Sequence, residues 1–239
     1  MISEIGKFLL GFALFANIYA VVAVWSGIKN KNPYWQESGR RAIFGTTILL
    51  FFALAILIFG FATDQFNINY IAQHSSKELP FYLKISAVWA GQEGSLLLWS
   101  FFQITFTAIE SKRNDKSFPM LSKWASIFLG IISAFFIAMT LIFSNPFIAS
   151  NSMPSNGQGM NPLLRHPGMV FHPPILYLGY VGLAVPFAYA LASLITNKVD
   201  NWTNRYVQQW LLFSWLALGV GIILGSRWAY DVLGWGGYW

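Results

Sequence analysis

The stretch AIFGTTILLFFALAILIFGFA, residues 42–62, contains no Asp, Glu, Lys, Arg or His, and it exceeds the roughly 20 residues that the hydrocarbon core of a bilayer requires. As a helix it satisfies its own backbone hydrogen bonds and presents only apolar or small side chains, which is what a membrane span needs. Five further apolar runs surround it, at residues 5–28, 95–109, 125–143, 174–195 and 210–226. The run at 95–109 is short for a span unless residues 85–94 join it or lie along the interface. The first run is too long for a removed signal peptide and lacks a small-residue cleavage site. The expected fold is all-α: a polytopic integral membrane helical bundle of about six transmembrane helices.

Composition agrees. A chain that is 56% hydrophobic and 10% charged has too much apolar surface to hide in one soluble core. A net charge of +6 raises nucleic acid as a partner, but no basic patch stands beside stacking aromatics on a polar scaffold, so none is expected. With Cys at 0, the chain has no thiol nucleophile, zinc–thiolate site or iron–sulfur cluster.

The basic residues follow the topology. The connections after the first, third and fifth runs hold Lys29, Lys31, Arg40, Arg41, Lys112, Arg113, Lys116, Lys123, Lys198 and Arg205, whereas the opposite side holds only Lys77, Lys84, Arg165 and Arg227. The positive-inside rule puts the first group in the cytoplasm, or the matrix of a mitochondrion, and both termini on the outer, periplasmic side. The outer loops are then residues 63–94 and 144–173. The runs at 42–62, 125–143, 174–195 and 210–226 lack ionisable side chains, whereas ion-coupled transporters need such groups along their path. This weighs against a transporter, which stands with a passive structural subunit as the alternative of another class.

Chemistry concentrates on the outer side. The end GSRWAYDVLGWGGYW, residues 225–239, gathers Trp228, Trp235 and Trp239 with Tyr230 and Tyr238. Wide aromatic faces with polar tips suit a large planar ligand such as a porphyrin, and Gly234, Gly236 and Gly237 allow close backbone approach. An interfacial aromatic belt is the other reading. In AVWAGQEGSLLLW, residues 87–99, Gln92 and Glu93 stand between two glycines, flanked by Trp89 and Trp99. Glu93 could orient a ligand's hydrogen-bonding rim, accept from a partner or mark the span boundary. NPLLRHPGMVFHPPILYLGYVG, residues 161–182, holds His166 and His172. Neutral imidazole is a usual haem-iron ligand, and also a common hydrogen-bonding group at an interface. Pro173 and Pro174 are expected to open the fifth helix, with a kink at Pro186. Gly221 and Gly225 form a small-xxx-small pair for helix packing.

These stretches, with NPF at 145–147, resemble the amino-terminal part of the CcmF/NrfE family, the membrane subunit of bacterial and mitochondrial cytochrome c haem lyase. The likeness runs in order along nearly all of the chain, and residues 225–239 resemble the opening of the tryptophan-rich WWD signature. CcmC and CcsA share that signature and are the nearest alternatives, but AVWAGQEGSLLLW favours CcmF. The resemblance implies two parts: residues 1–226, a six-span bundle, and residues 227–239, the start of the haem-handling segment, cut short at the chain end. It implies a multi-pass protein of the bacterial inner membrane, or the mitochondrial inner membrane, surrounded by lipid. Haem b would be the bound substrate, and a second b-type haem a prosthetic group of the complete protein. Partners would be the haem chaperone CcmE, a CcmH-type thiol-handling subunit and apocytochrome c, whose CxxCH thiols receive the haem vinyl groups.

His172, in FHPPILYLGY, matches the family's periplasmic axial ligand and is the one implied metal ligand. Trp228, Trp235, Gly236, Gly237 and Trp239 would hold haem, with Trp89 and Glu93 as further candidates, while His166 and His74 match no family position. No catalytic side chain is implied, because the chain would form part of a haem lyase whose reactive chemistry belongs to haem and thiol. Family members continue through F-W-D-P-V-E and further helices that supply the second axial ligand and the b-haem histidines. The resemblance therefore implies a split gene or a fragment, and half of a haem site.

Topology can be tested directly. Reporter fusions at Asn30, Asp115 and Asn201 are expected to read as cytoplasmic and fusions at Asn69 and Ser155 as outer. A cytoplasmic signal at Ser155 would put His172 in the wrong compartment for this reading.

Overall fold

A computed structural model describes residues 2–112, 119–150, 154–197 and 205–235. Among these residues the regular structure is helical apart from one isolated bridge, Ile68 to Ala149. The long helices are α1 (Ile2–Lys29), α2 (Pro33–Ala62), α5 (Gln92–Lys112), α6 (Pro119–Ile142), α7 (Gly168–Thr196) and α8 (Arg205–Leu233). Two short helices, α3 (Asn69–His74) and α4 (Phe81–Ser86), lie in the outer connection between α2 and α5. A tight turn after α1 makes the first hairpin: Asn32 caps α2 by accepting from the Tyr34 amide at 2.9 Å, and Pro33 supplies a first residue that needs no donor.

α1 packs on α2 and α6, α5 fits between α2, α6 and α7, and α8 leans chiefly on α7. The core is apolar, with Leu10, Leu50, Leu57, Phe61, Leu97, Ile104 and Ile137 fully enclosed. Large apolar side chains such as Phe12, Phe15, Phe51, Phe135, Trp215 and Ile223 point outward, the pattern of a bundle whose solvent is lipid. Among the described residues five helices, α1, α2, α6, α7 and α8, are long and apolar enough to cross a membrane. The run expected at 95–109 lies within α5, a helix of 21 residues. Residues 85–91 do not lengthen it: they end α4 and form a 3-10 turn, Ala87–Trp89.

α7 differs from the sequence expectation. It starts at Gly168, so Pro173 and Pro174 lie inside the helix, and it runs on through Pro186 to Thr196. Proline has no N–H, so Pro173 leaves the carbonyl of Met169, four residues earlier, without its helical donor. The indole Nε1 of Trp89 donates to that carbonyl at 2.8 Å. A long-range bond thus replaces the local one, which lets the helix begin early.

The connections between α2 and α5 and between α6 and α7 form one hydrogen-bonded cap. Asn69 N donates to Ile148 O and Ser150 N to Asn67 O, each at 2.9 Å, while Asn156 Nδ2 reaches both carboxylate oxygens of Glu78 at 3.0 Å. In the NPF turn, Asn145 Oδ1 accepts from Phe147 N at 2.9 Å, and the enclosed Phe147 ring fills the space that Gly6 of α1 leaves open. Lys84, 7% exposed, meets Asp64 at 2.6 Å, so the one deeply placed lysine of the cap is paired.

Tyr70 organises the AGQEG motif: its hydroxyl accepts from Gly91 N and donates to Val88 O, both at 3.0 Å. Burial raises the phenol well above its ordinary pKa, which keeps the proton on the donor. At the other end of the bundle Glu110 is fully enclosed, accepting from Tyr189 at 2.9 Å, from Trp210 at 3.0 Å and from Tyr206. A carboxylate in such a place needs these donors, and they tie α5 to α7 and α8.

Gly94 is the position least able to take a side chain, because a Cβ there would lie 1.6 Å from the Val88 carbonyl oxygen, whereas nothing lies within 4 Å of a Cβ at Gly45. Gly94→Ala is expected to cost about 3 kcal/mol. That lowers the thermal midpoint in detergent by roughly 6–12 °C. Gly45→Ala should leave it unchanged or slightly raised.

Candidate functional site

The outer ends of α7 and α8 meet along glycines. A Cβ on Gly179 would lie 2.6 Å from Leu218, and one on Gly221 would lie 2.6 Å from Leu176. The seam ends at His172. Its Nδ1 is 2.7 Å from the carbonyl oxygen of Gly221. A carbonyl only accepts, so Nδ1 carries the proton and Nε2 keeps its lone pair. The ring lies against Gly225, where a Cβ would be 2.3 Å from Cε1 and 3.0 Å from Nε2. The small-xxx-small pair of α8 therefore packs a helix and seats an imidazole at once.

Trp228 lies one turn further along α8, its ring centroid 6.0 Å from that of His172 at an interplanar angle of 34°. Its indole Nε1 is buried with no hydrogen-bond partner among the described residues. Gly168 makes room for it, since a Cβ there would come within 3.1 Å of the Trp228 Cβ. Trp89 reaches the same turn of α7 through Met169 and is braced from behind: Ser95 Oγ donates to the Trp89 carbonyl, and Tyr177 Oη to Ser95 Oγ, both at 3.0 Å.

Glu93 stands half-buried in the first turn of α5, with no hydrogen-bond partner among the described residues. A carboxylate there is favoured by the positive end of the helix dipole. Gly234, at φ +63°, ends α8 in the left-handed conformation, and Trp235 follows it 66% exposed. Gly236, Gly237 and Trp239 lie outside the described residues.

The other histidines are engaged elsewhere. His166 accepts from Gly168 N through Nδ1 at 3.0 Å, and its Nε2 faces Asp231 at 3.6 Å. Asp231 also meets Arg227 at 2.8 Å within α8, so one carboxylate stands between the last turns of α8 and His166, just before α7. His74 Nδ1 lies 3.0 Å from the Tyr70 carbonyl, and its ring packs on Tyr70 at 4.5 Å beside Gly91. Trp99 stacks between Phe136 and Tyr180. Among the described residues no group of three His, Asp or Glu gathers as a chelate. The site thus offers one oriented imidazole donor atom, an indole N–H and flat apolar walls, which suits a planar metal complex taking a single axial ligand from this chain.

Sequence reading missed the Trp89–Met169 bond and the Arg227–Asp231–His166 cluster. The first had a signal, since Pro173 marks Met169 as an orphaned acceptor. The second had half of one: Arg227 and Asp231 stand four residues apart on one helix, whereas His166 precedes α7.

Comparison with known proteins places the chain in a family. Residues 89–239 match the family model described as Cytochrome C assembly protein. The cytochrome c-type biogenesis protein NrfE of Haemophilus influenzae is 38% identical over 242 residues, covering 100% of this chain and 38% of that protein. CcmF of Pseudomonas aeruginosa is 39% identical over 245 residues, covering 100% of this chain and 36% of its own length. A solved structure named cytochrome c heme lyase CcmF superposes with a TM-score of 0.86 at 27% identity, over 100% of this chain and 38% of that one. The chain, which spans little more than a third of these relatives, belongs to the cytochrome c assembly protein family.

Proposed function

We propose that this chain contributes to cytochrome c maturation as the haem-holding part of a membrane haem lyase, with haem as cargo. The observation that carries the reading is the seat of His172: one ring nitrogen is committed to the Gly221 carbonyl, and the other is left as a donor atom beside Trp228. Metal-binding histidines are oriented in this way, the second nitrogen fixing tautomer and ring plane. The relatives' names add the cargo and the process.

In this reading His172 supplies one axial ligand at its Nε2. The indoles of Trp228, Trp235 and Trp239 offer apolar faces, and the backbone at Gly236 and Gly237 admits a flat ligand closely. The unpartnered N–H of Trp228 can donate to an acceptor on the cargo. Trp89 acts on the site by completing the turn of α7 that carries His172, and Glu93 accepts at the rim of the outer face. Haem brings the iron and the vinyl groups, while the chain binds, orients and shields.

Haem b as the species, CcmE as donor, a CcmH-type thiol-handling subunit and apocytochrome c as acceptor complete the proposal, together with an inner-membrane location and outer termini. Residues 227–239 are the start of the haem-handling segment. The boundary at 226 is chemical and not architectural, since α8 runs through it to Leu233.

The test uses the complete lyase, with the Soret absorbance per purified protein and the yield of mature cytochrome c as readouts. His172→Ala is expected to lower both by about tenfold or more with membrane insertion intact, and His74→Ala to lower neither. Gly225→Ala keeps the histidine but displaces its ring, and should match His172→Ala. Gly219→Ala, with nothing within 4 Å of its Cβ, should match the unaltered protein. If Gly225→Ala retains haem fully, the seat does not position a ligand and the proposal fails.

A further inference from the structure

A separate cavity shares no residue with the histidine site. It opens at the bundle face that carries the α1–α2 and α5–α6 connections, has a volume of about 520 Å³, and is walled by α1, α2, α5 and α6. Four charged side chains line it: Glu37, Arg40, Lys112 and Lys123. Glu37 is already engaged by the Arg40 guanidinium at 2.7 and 2.8 Å and by Arg41 at 2.9 Å. Lys112 and Lys123 have no carboxylate partner among the described residues, and the hydroxyl-bearing Ser111 and Ser126 share the wall with them.

The cavity therefore carries a net positive charge, with two lysine ammonium groups free to meet an incoming anion. Its depth is marked by α2, which opens beside it with Tyr34 85% and Trp35 45% exposed. Exposed tyrosine and tryptophan at a helix end are the mark of the headgroup level of a bilayer. Basic cavities between transmembrane helices at that level take anionic headgroups, and two compact ammonium groups suit a phosphate as point charges.

We propose that this cavity is a binding site for a phosphate group, contributed by the headgroup of an anionic phospholipid in the adjacent leaflet. Lys112 and Lys123 hold the phosphate, and Arg40, kept in place by Glu37, closes the third side. The ligand would join the hairpin α1–α2 to the hairpin α5–α6 at the end of the bundle opposite the histidine site.

The test uses the full chain in nanodiscs, with phosphatidylglycerol as the probe and phosphatidylcholine as the neutral reference. Native mass spectrometry after release into detergent reads the adducts. Retained phosphatidylglycerol, not displaced by excess inorganic phosphate, is expected. Lys112→Gln combined with Lys123→Gln should lower its retention by about thirtyfold, the factor for two cations at roughly 1 kcal/mol each. Lys29→Gln combined with Lys31→Gln removes the same charge from the same face outside the cavity and should change retention far less. Displacement by inorganic phosphate, with the same lysine dependence, would keep the phosphate site but make a soluble phosphate its source. Equal loss in both double variants, or no adduct selective for phosphatidylglycerol, would overturn the proposal.

Discussion

The hydrogen bond from the Trp89 indole to the Met169 carbonyl is the constraint on which the outer half of the molecule rests. Two adjacent prolines would normally open a helix, and here they sit inside one, because a side chain eighty positions upstream supplies the donor that Pro173 lacks. A buried carbonyl without a partner is expensive where water is scarce. With the bond made, α7 extends outward far enough to carry His172 on a helix and not on a loop, and a helical side chain holds its direction against a neighbour.

That neighbour is α8, and the direction of His172 is set by what α8 lacks. Glycines at 179, 221 and 225 bring the two backbones close enough for a ring nitrogen to reach a main-chain carbonyl. The bond uses backbone as the orienting group, so side-chain substitution cannot remove it directly, whereas a single methyl at Gly225 disturbs the ring. The opposite end of the pair is held differently, by the Glu110 carboxylate and its donors from α7 and α8. One end of the pair is thus fixed by shape and the other by a buried carboxyl group and the donors around it.

Much of the fold was legible because lipid is a simple solvent: the long apolar runs name the helices, and the runs at 42–62 and 125–143 end within a residue of α2 and α6, although those helices begin nine and six residues earlier. Legibility failed where a partner far along the chain overrides a local rule. The third run stops at 109, one residue before Glu110, whereas α5 runs through that glutamate to Lys112. The donors to Glu110 follow far along the chain, Tyr189 after two further connections and Tyr206 and Trp210 after three. The start of α7 failed for the same reason, since helix rules put prolines in the first turn unless something else meets the orphaned carbonyl. Of the candidate site residues, His172 and Trp228 stood out in the sequence, and the structure brings their ring centroids within 6.0 Å of each other. The role of Gly225 in seating the histidine was not, because a small-xxx-small pair says that helices approach and does not say which side chain fills the gap.

The position of Trp89 upstream of Pro173 has a consequence for the order of assembly during synthesis. When α7 leaves the translocation machinery, its outer turn carries an acceptor that no residue of its own can satisfy, and a helix inserting alone would have to leave that turn frayed or solvated. Trp89 belongs to a cap whose first half is translated earlier, so the donor is already made when the acceptor emerges. The outer cap therefore serves as a template for the helix that bears the histidine, and a chain rearranged so that α7 emerges first would meet its prolines with nothing to dock against.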